Sequence, residues 1–203
     1  MSDVRLAALR APGDPEAWRS LGFDVDGEVG GDTVAFANGA VRLGAPGWAI
    51  ELESPGREAS DVEGIPISTG ARVAAVEHPN GAVELDHIVV MTDSIERTSA
   101  AIDESLGLRQ RRLRETATVR QAFHRFADTP DGTRGCIVEV VERPDVARVD
   151  IWGLVVIVDD IDRAVAAAGG LIGAPKPAVQ PGRRIATVSR GAGLSVALAL
   201  MSR

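Results

Sequence analysis

Hydrophobic and polar positions form a recurring pattern in the second half of the chain. The apolar run "HIVVM" (87–91) leads directly into "DSIERTSAAIDESLGL", where Ile95 and Leu106 share one helical face. An alternating segment, "VRQAFHRF", and an apolar one, "CIVEVVE", follow on either side of the turn "TPDGTRG". The pattern predicts a strand, a helix capped near Asp93 and ended near Gly107, and then about three strands.

The same order begins again at "WGLVVIVDDIDR" (152–163). A helix capped by Asp159 or Asp160 ends at "AGG", and "RRIATVSR" and "GLSVALALM" are the strands that follow. A spacing of 66 residues aligns the starts of the two units, with Val89 on Val155, and a spacing of 58 residues aligns their last strands. The sequence therefore predicts a βαβββ unit that occurs twice.

The first 80 residues contain a degenerate version of this plan. "VRLAAL" predicts a strand, "DPEAWRSLG" a capped helix, and "TVAFANGAVRL" a hairpin around an Asn-Gly pair. "GWAIELE" and "ARVAAVEHPNG" predict further strands on either side of the polar "SPGREASDVEG". We predict an α+β protein with a degenerate N-terminal βα-module region (1–80) and a domain (84–203) of two modules, 84–147 and 150–203. Whether 1–80 holds one unit or two stays open.

Composition and charge narrow the function classes. The net charge of −7 gives no general attraction for nucleic acid or an anionic membrane. No apolar run approaches the ~20 residues of a membrane span, and the N-terminal residues lack a signal-peptide pattern. Cys136 is the only cysteine, which excludes an intrachain disulfide and fits a reducing compartment. We expect a soluble, cytoplasmic protein in which Cys136 is buried and inert.

Residues 84–203 resemble the vicinal oxygen chelate superfamily, which includes glyoxalase, bleomycin-resistance and dioxygenase-like proteins. The motifs that carry the resemblance are "LDHIVVMTDSIE", "CIVEVV", "WGLVVIVDDIDRAVAA" and "GLSVALAL". The resemblance implies paired βαβββ modules whose curved mixed sheets enclose a cavity, with the helices outside. In metal-dependent members a divalent ion occupies the cavity, held by one ligand from the first strand and one from the last strand of each module.

Only the first module of this chain matches that ligand pattern. His87 lies on its first strand and Glu139 on its last, whereas Gly153 and Ala197 take the aligned positions of the second module. Because a divalent metal needs three or four protein ligands, we expect no cofactor, and a metal held by His87 and Glu139 is the less favoured alternative. The resemblance places the two strands side by side, so the pair could serve as a general base or ligand anchor, or merely satisfy each other's hydrogen bonds.

Five further residues are candidate ligand contacts. Gln121 and His124 have opposite parity on one strand, so at most one of them faces the cavity. Trp152 either lines the cavity or, as is more usual for a strand tryptophan, packs in the core. Arg183 and Arg184 follow a Pro-Gly turn, where they either grip a carboxylate or phosphate or are solvated hairpin residues.

The sequence favours a small-molecule-binding protein that lacks the full metal site. The alternative is an enzyme of the glyoxalase and dioxygenase group (isomerase, lyase or dioxygenase chemistry) that uses His87 and Glu139 with or without a metal. A non-catalytic structural scaffold is the third hypothesis. The expected partner is a small molecule, and the resemblance also allows a homodimer.

Overall fold

The computed structural model describes residues 3–27, 31–53 and 60–203. Two mixed sheets share one large hydrophobic core, which contains side chains from both, among them Leu9 of the first and Ile88 of the second. No helix in the described residues is long and apolar enough to cross a membrane.

The first sheet belongs to the N-terminal region. Its helix begins at Pro15 because the Asp14 side chain accepts a hydrogen bond from the Glu16 backbone N–H, as an N-cap does. The elements of this region are β1 (Leu6–Arg10), α1 (Pro15–Arg19), β2 (Thr33–Phe36), β3 (Gly39–Arg42), β4 (Ala49–Leu52), β5 (Asp61–Val62) and β6 (Ile65–Thr69).

The second sheet contains the predicted repeat. Its first helix is capped by Ser94 rather than Asp93 and ends at Gly107, which has φ +66°. Asp160 caps the second helix. The elements are β7 (Ala82–Thr92), α2 (Ile95–Leu106), β8 (Arg112–Glu115), β9 (Arg120–Arg125), β10 (Ile137–Glu142), β11 (Asp150–Val158), α3 (Ile161–Ala167), β12 (Lys176–Pro177), β13 (Arg184–Thr187) and β14 (Ala197–Ser202).

The strand order of the second sheet shows two βαβββ modules side by side. The order is β12-β13-β14-β11-β7-β10-β9-β8. In each module the first and last strands are parallel neighbours, β7 with β10 and β11 with β14, and the modules join through the antiparallel pair β7 and β11. The predicted α+β class and the paired βαβββ modules are confirmed.

The strand register corrects the sequence alignment of the two modules. Val89 pairs with Glu139 in the first module, and its counterpart Val155 pairs with Ala199 in the second. The structural equivalent of Glu139 is therefore Ala199, and the predicted alignment with Ala197 was wrong by two residues. A shift of two residues leaves every side chain on the same face of a strand, so hydrophobic alternation cannot detect it.

The first sheet repeats this plan with one strand fewer on each side. Its order is β2-β3-β1-β4-β6-β5, with β1 parallel to β3, β4 parallel to β6, and β1 antiparallel to β4. The strand expected within 71–81 is absent, because the chain pairs earlier through β5 and β6. The turn between them contains Glu63 and Gly64, both with positive φ. Residues 54–59 of the predicted polar segment lie outside the described residues.

Candidate functional site

A β-bulge in β7 brings two neighbouring side chains together. His87 pairs with Val155 and Leu85 with Val156, so Asp86 is an extra residue with no partner on β11. Regular alternation would send Asp86 and His87 to opposite faces of the sheet. Instead the bulge places Asp86 Oδ2 2.7 Å from His87 Nδ1.

The other ring nitrogen of His87 faces the last strand of the same module. His87 Nε2 lies 3.3 Å from Glu139 Oε2. The second carboxylate oxygen of Glu139 accepts a hydrogen bond from Gln121 Nε2, and Gln121 Oε1 accepts one from Arg114 Nη1 at 3.1 Å. We call Asp86, His87, Gln121 and Glu139 the His87 group.

The His87 group lies on the face of the second sheet opposite α2 and α3, which we call the site face. Cross-strand pairs keep the same face, so Phe123 and Val89, which flank Glu139, belong to it as well. The side chain of His87 is 14% exposed and that of Glu139 is 13% exposed. The group is therefore mostly buried and still open to a ligand.

Asp86 is charged in the folded protein. Burial opposes the charged form, yet the hydrogen bond from His87 and the charge of Arg183 hold the pKa of the Asp86 carboxyl below its usual value. Arg183 Nη1 donates to Asp86 Oδ1 at 3.1 Å and ties the β12–β13 turn to β7. Thus Asp86 both orients the imidazole and anchors that turn.

The position of His87 between two carboxylates defines its chemistry. Nδ1 of the ring is hydrogen-bonded to Asp86, and Glu139 lies 3.3 Å from Nε2, where it would form an ion pair with a protonated ring. A proton on Nδ1 is held by Asp86, so Nε2 is the nitrogen that a ligand could share with Glu139. The arrangement can exchange a proton at Nε2 or bind a polar ligand atom there.

The two candidates on β9 separate as their parity requires. Gln121 belongs to the His87 group, whereas His124 lies on the opposite face, completely buried beneath α2. Its Nδ1 bonds Leu108 O at 2.6 Å and its Nε2 bonds Ser99 Oγ at 3.1 Å, and burial lowers its pKa. His124 is a neutral core residue and does not contact the site face.

The three remaining candidates, Arg183, Arg184 and Trp152, differ in whether they contact the His87 group. Arg183 contacts the His87 group, but Arg184 forms a two-point ion pair with Asp162 of α3. Trp152 is 54% exposed, so its expected core position was wrong; it is the unpaired residue of a second bulge, between Ile151 and Gly153. The expectation that Cys136 is buried is confirmed.

Two members of the network were not found from the sequence. Asp86 was overlooked because alternation places it opposite His87, and no residue in its neighbourhood marks the bulge. Arg114 was overlooked because the polar segment "RQRRLRET" (109–116) was not among the strands named from the sequence. The alternation of arginine and leucine within that segment was an available signal for a strand.

The donor set does not fit the divalent ion that the resemblance implies for metal-dependent members. Asp86 and Glu139 lie on opposite sides of the His87 ring and do not converge with it on one point. The equivalent positions of the second module, Gly153 and Ala199, have no donor atoms. Within 3–27, 31–53 and 60–203, no group of three or more His, Cys, Asp or Glu side chains is arranged to hold a metal.

The fold and the site define a protein of paired βαβββ modules with a polar group in one module only. Neither a family model nor a curated protein matches the sequence. Solved structures similar to this chain include a Streptomyces coelicolor methylmalonyl-CoA epimerase variant in complex with 2-nitronate-propionyl-CoA, at 20% identity and TM-score 0.48, covering 60% of this chain and 97% of that one.

Two other solved structures show a similar degree of likeness. Methylmalonyl-CoA epimerase from Mycobacterium tuberculosis is 14% identical with TM-score 0.48, over 60% of this chain and 89% of that one. A hypothetical protein from Bacillus halodurans is 16% identical with TM-score 0.46, over 59% and 94%.

Proposed function

We propose that this protein binds a small molecule at the His87 group without a metal ion. The observation that carries the proposal is the position of the His87 ring between Asp86 and Glu139, in a group that is mostly buried but still partly exposed. Buried polar side chains are costly on an apolar sheet unless they are hydrogen-bonded, and these are bonded in a way that leaves a face for a ligand.

The contrast between the modules supports binding rather than metal-assisted catalysis. In the second module Arg183 of the β12–β13 turn reaches the His87 group, whereas Val155, Ile157 and Met201 form a separate hydrophobic cluster on the site face. A ligand at Nε2 of His87 would contact polar atoms on one side and this cluster on the other. That combination is typical of small-molecule sites, which pair apolar walls with a few directed polar groups.

NMR of the histidine ring resonances in the full chain tests the proposal. A library of neutral and charged fragments is screened for those that shift the His87 ring resonances in a saturable way. Each hit is then titrated against the variants His87→Gln and Glu139→Gln. We expect both variants to weaken the hits by about tenfold or more, because each removes a hydrogen bond to a charged group.

Glu84→Gln is the matched control for the fragment titrations. It removes a carboxylate from the same strand as His87, one that pairs with Arg203 and not with the His87 group. Hits should keep their affinity in this variant. If no fragment saturates the His87 resonances, or if hits bind all three variants equally, the proposal is wrong.

Proton-transfer catalysis is the second candidate, and the bulge favours it. Asp86 fixes a proton on Nδ1 of His87, which is how a carboxylate prepares an imidazole to act as a base at Nε2. A fragment hit with an acidic C–H would then exchange that hydrogen in D2O in the presence of wild-type protein but not of His87→Gln.

Metal content separates the metal-dependent form of this candidate from the metal-free site. Protein purified without added ions is analysed by elemental mass spectrometry. We expect no stoichiometric metal. A full equivalent that disappears in His87→Ala would overturn the metal-free site and favour a metal-dependent enzyme.

A further inference from the structure

Arginines are concentrated at one edge of the second sheet. The segment "RQRRLR" (109–114) contains four arginines in a chain with net charge −7, and its second half forms β8, the edge strand next to β9. Such a concentration of like charge repels itself unless something compensates it.

Alternation sends two of these arginines to the site face. Arg112 pairs with Phe123 and Arg114 with Gln121 across β8 and β9, so both share the face of the His87 group. Arg112 Cζ lies 5.9 Å from the centre of the Phe123 ring, and Arg114 donates to Gln121. Arg111 precedes them with the opposite parity and so projects to the other face.

These guanidinium groups have no carboxylate partner. In the described ranges, 3–27, 31–53 and 60–203, neither Arg112 nor Arg114 forms an ion pair, although Arg120 nearby binds three carboxylates. Glu139 is the nearest carboxylate along the network, and it is engaged by His87 and Gln121. Two guanidinium groups on one face, about 7 Å apart along the strand, can each donate two hydrogen bonds to an anion.

An apolar row leads from these arginines across the sheet. Successive cross-strand partners place Phe123, Glu139, Val89 and Gly153 in one line that begins at Arg112. Apart from Glu139 the row is apolar, and it reaches the second module at a glycine.

We propose that the site face binds an amphipathic organic anion, a small carboxylate or phosphate ester with an apolar body. The anionic group is held by Arg112 and Arg114, and the body lies along the row past Glu139 toward the second module. The inference rests on the proposed function, since it specifies the ligand class of the same site. The net charge of −7 disfavours a large polyanion such as nucleic acid.

Octanoate is the probe, with octanamide as its uncharged analogue and acetate as the anion without an apolar body. Binding to the chain of 203 residues is measured by calorimetry and by amide NMR. We expect saturable binding of octanoate and, at about 10 mM, little or none of the other two. R112Q/R114Q should weaken octanoate binding by about tenfold or more, because it removes two charged donors.

The double variant R109Q/R111Q removes the same charge from the same segment and is the control. It should change octanoate affinity by less than about twofold, since exposed charges away from a ligand are screened. Equal weakening by both double variants, equal binding of octanamide, or no saturable octanoate binding would overturn the inference. Short single-stranded DNA that competes with octanoate would also overturn it, in favour of a polyanion site.

The outcome distinguishes this inference from the proposed function. If neutral fragments depend on His87 while octanoate does not bind, the small-molecule site stands and the anion is wrong. If octanoate depends on Arg112 and Arg114 but ignores His87→Gln, the anion site lies apart from the His87 group and the inference of a shared site fails, while the proposed function is decided by the fragment titrations alone.

Discussion

The amide of Asn38 connects the two sheets next to the bulge that presents Asp86. Asn38 Nδ2 donates to Leu85 O at 2.9 Å and to Arg134 O at 2.8 Å, and its Oδ1 accepts from Leu85 N at 2.9 Å. The residue is 3% exposed. Leu85 comes before the part of β7 that pairs with β10, which begins at His87, so the side-chain amide takes the place of a neighbouring strand.

Asn38→Ala removes three hydrogen bonds and leaves three backbone groups without partners in the interior. Each such loss costs about 1 kcal/mol or somewhat more, so we expect the free energy of unfolding to fall by about 3 kcal/mol. Urea denaturation followed by tryptophan fluorescence measures this change. Amide hydrogen exchange at Leu85 should accelerate before that of the central strands, because its protecting acceptor is gone.

Asn38→Asp separates the two kinds of hydrogen bond. It keeps the acceptor for Leu85 N but loses both donors and adds a buried charge, so it should destabilise the protein at least as much at neutral pH and less at acidic pH. A loss below about 0.5 kcal/mol for Asn38→Ala, with unchanged exchange at Leu85, would refute the view that this amide completes the sheet.

Three further expectations follow from other sites. Burial lowers the pKa of His78 and of His124, so as the pH falls these histidines are protonated in the unfolded chain before they are in the folded one. Their contribution to the free energy of unfolding is therefore complete above about pH 6.5 and is lost below it. A urea midpoint that stays constant between pH 7.5 and 5 would contradict this. A Cβ on Gly135 would clash with the backbone oxygen of Phe126, so Gly135→Ala should unfold the chain or lower its melting temperature sharply, whereas Gly47→Ala, with open space, should not. Asp86→Asn weakens the charged contact that ties down the β12–β13 turn, and trypsin should cleave there faster than in the wild type; equal rates would show that the pair does not hold the turn.

Much of the second sheet was predictable because both copies of its repeat show clear hydrophobic periodicity. The strands around 87–91 and 152–158, both helices and the final strands were all found from patterns of period 2 or 3.6 and from capping residues. The short strands β5 and β6 were not, because β5 spans only two residues and Pro66 interrupts β6, and a strand was expected instead in the segment 71–81. Which of these two segments forms a strand depends on the strand that it can pair with, and the local sequence does not specify that partner.

The site was predictable only where it follows regular geometry. The parity argument separated Gln121 from His124 without choosing between them, and only the helix packed on one face made the choice. Asp86 lay outside any such argument, since a bulge depends on how two distant strands match in length. Trp152 left the core for the same reason, because it too is the extra residue of a bulge.

The bulge at Asp86 makes the acid and the imidazole sequence neighbours that move as one unit. Most acid–imidazole pairs are assembled from distant segments and come apart when those segments shift. If β10 moved, the distance from His87 Nε2 to Glu139 would change, while Asp86 on the same strand would still orient the ring. The alignment of the His87 ring therefore does not depend on the position of β10, and a deletion of the single residue 86 would remove the acid that fixes it.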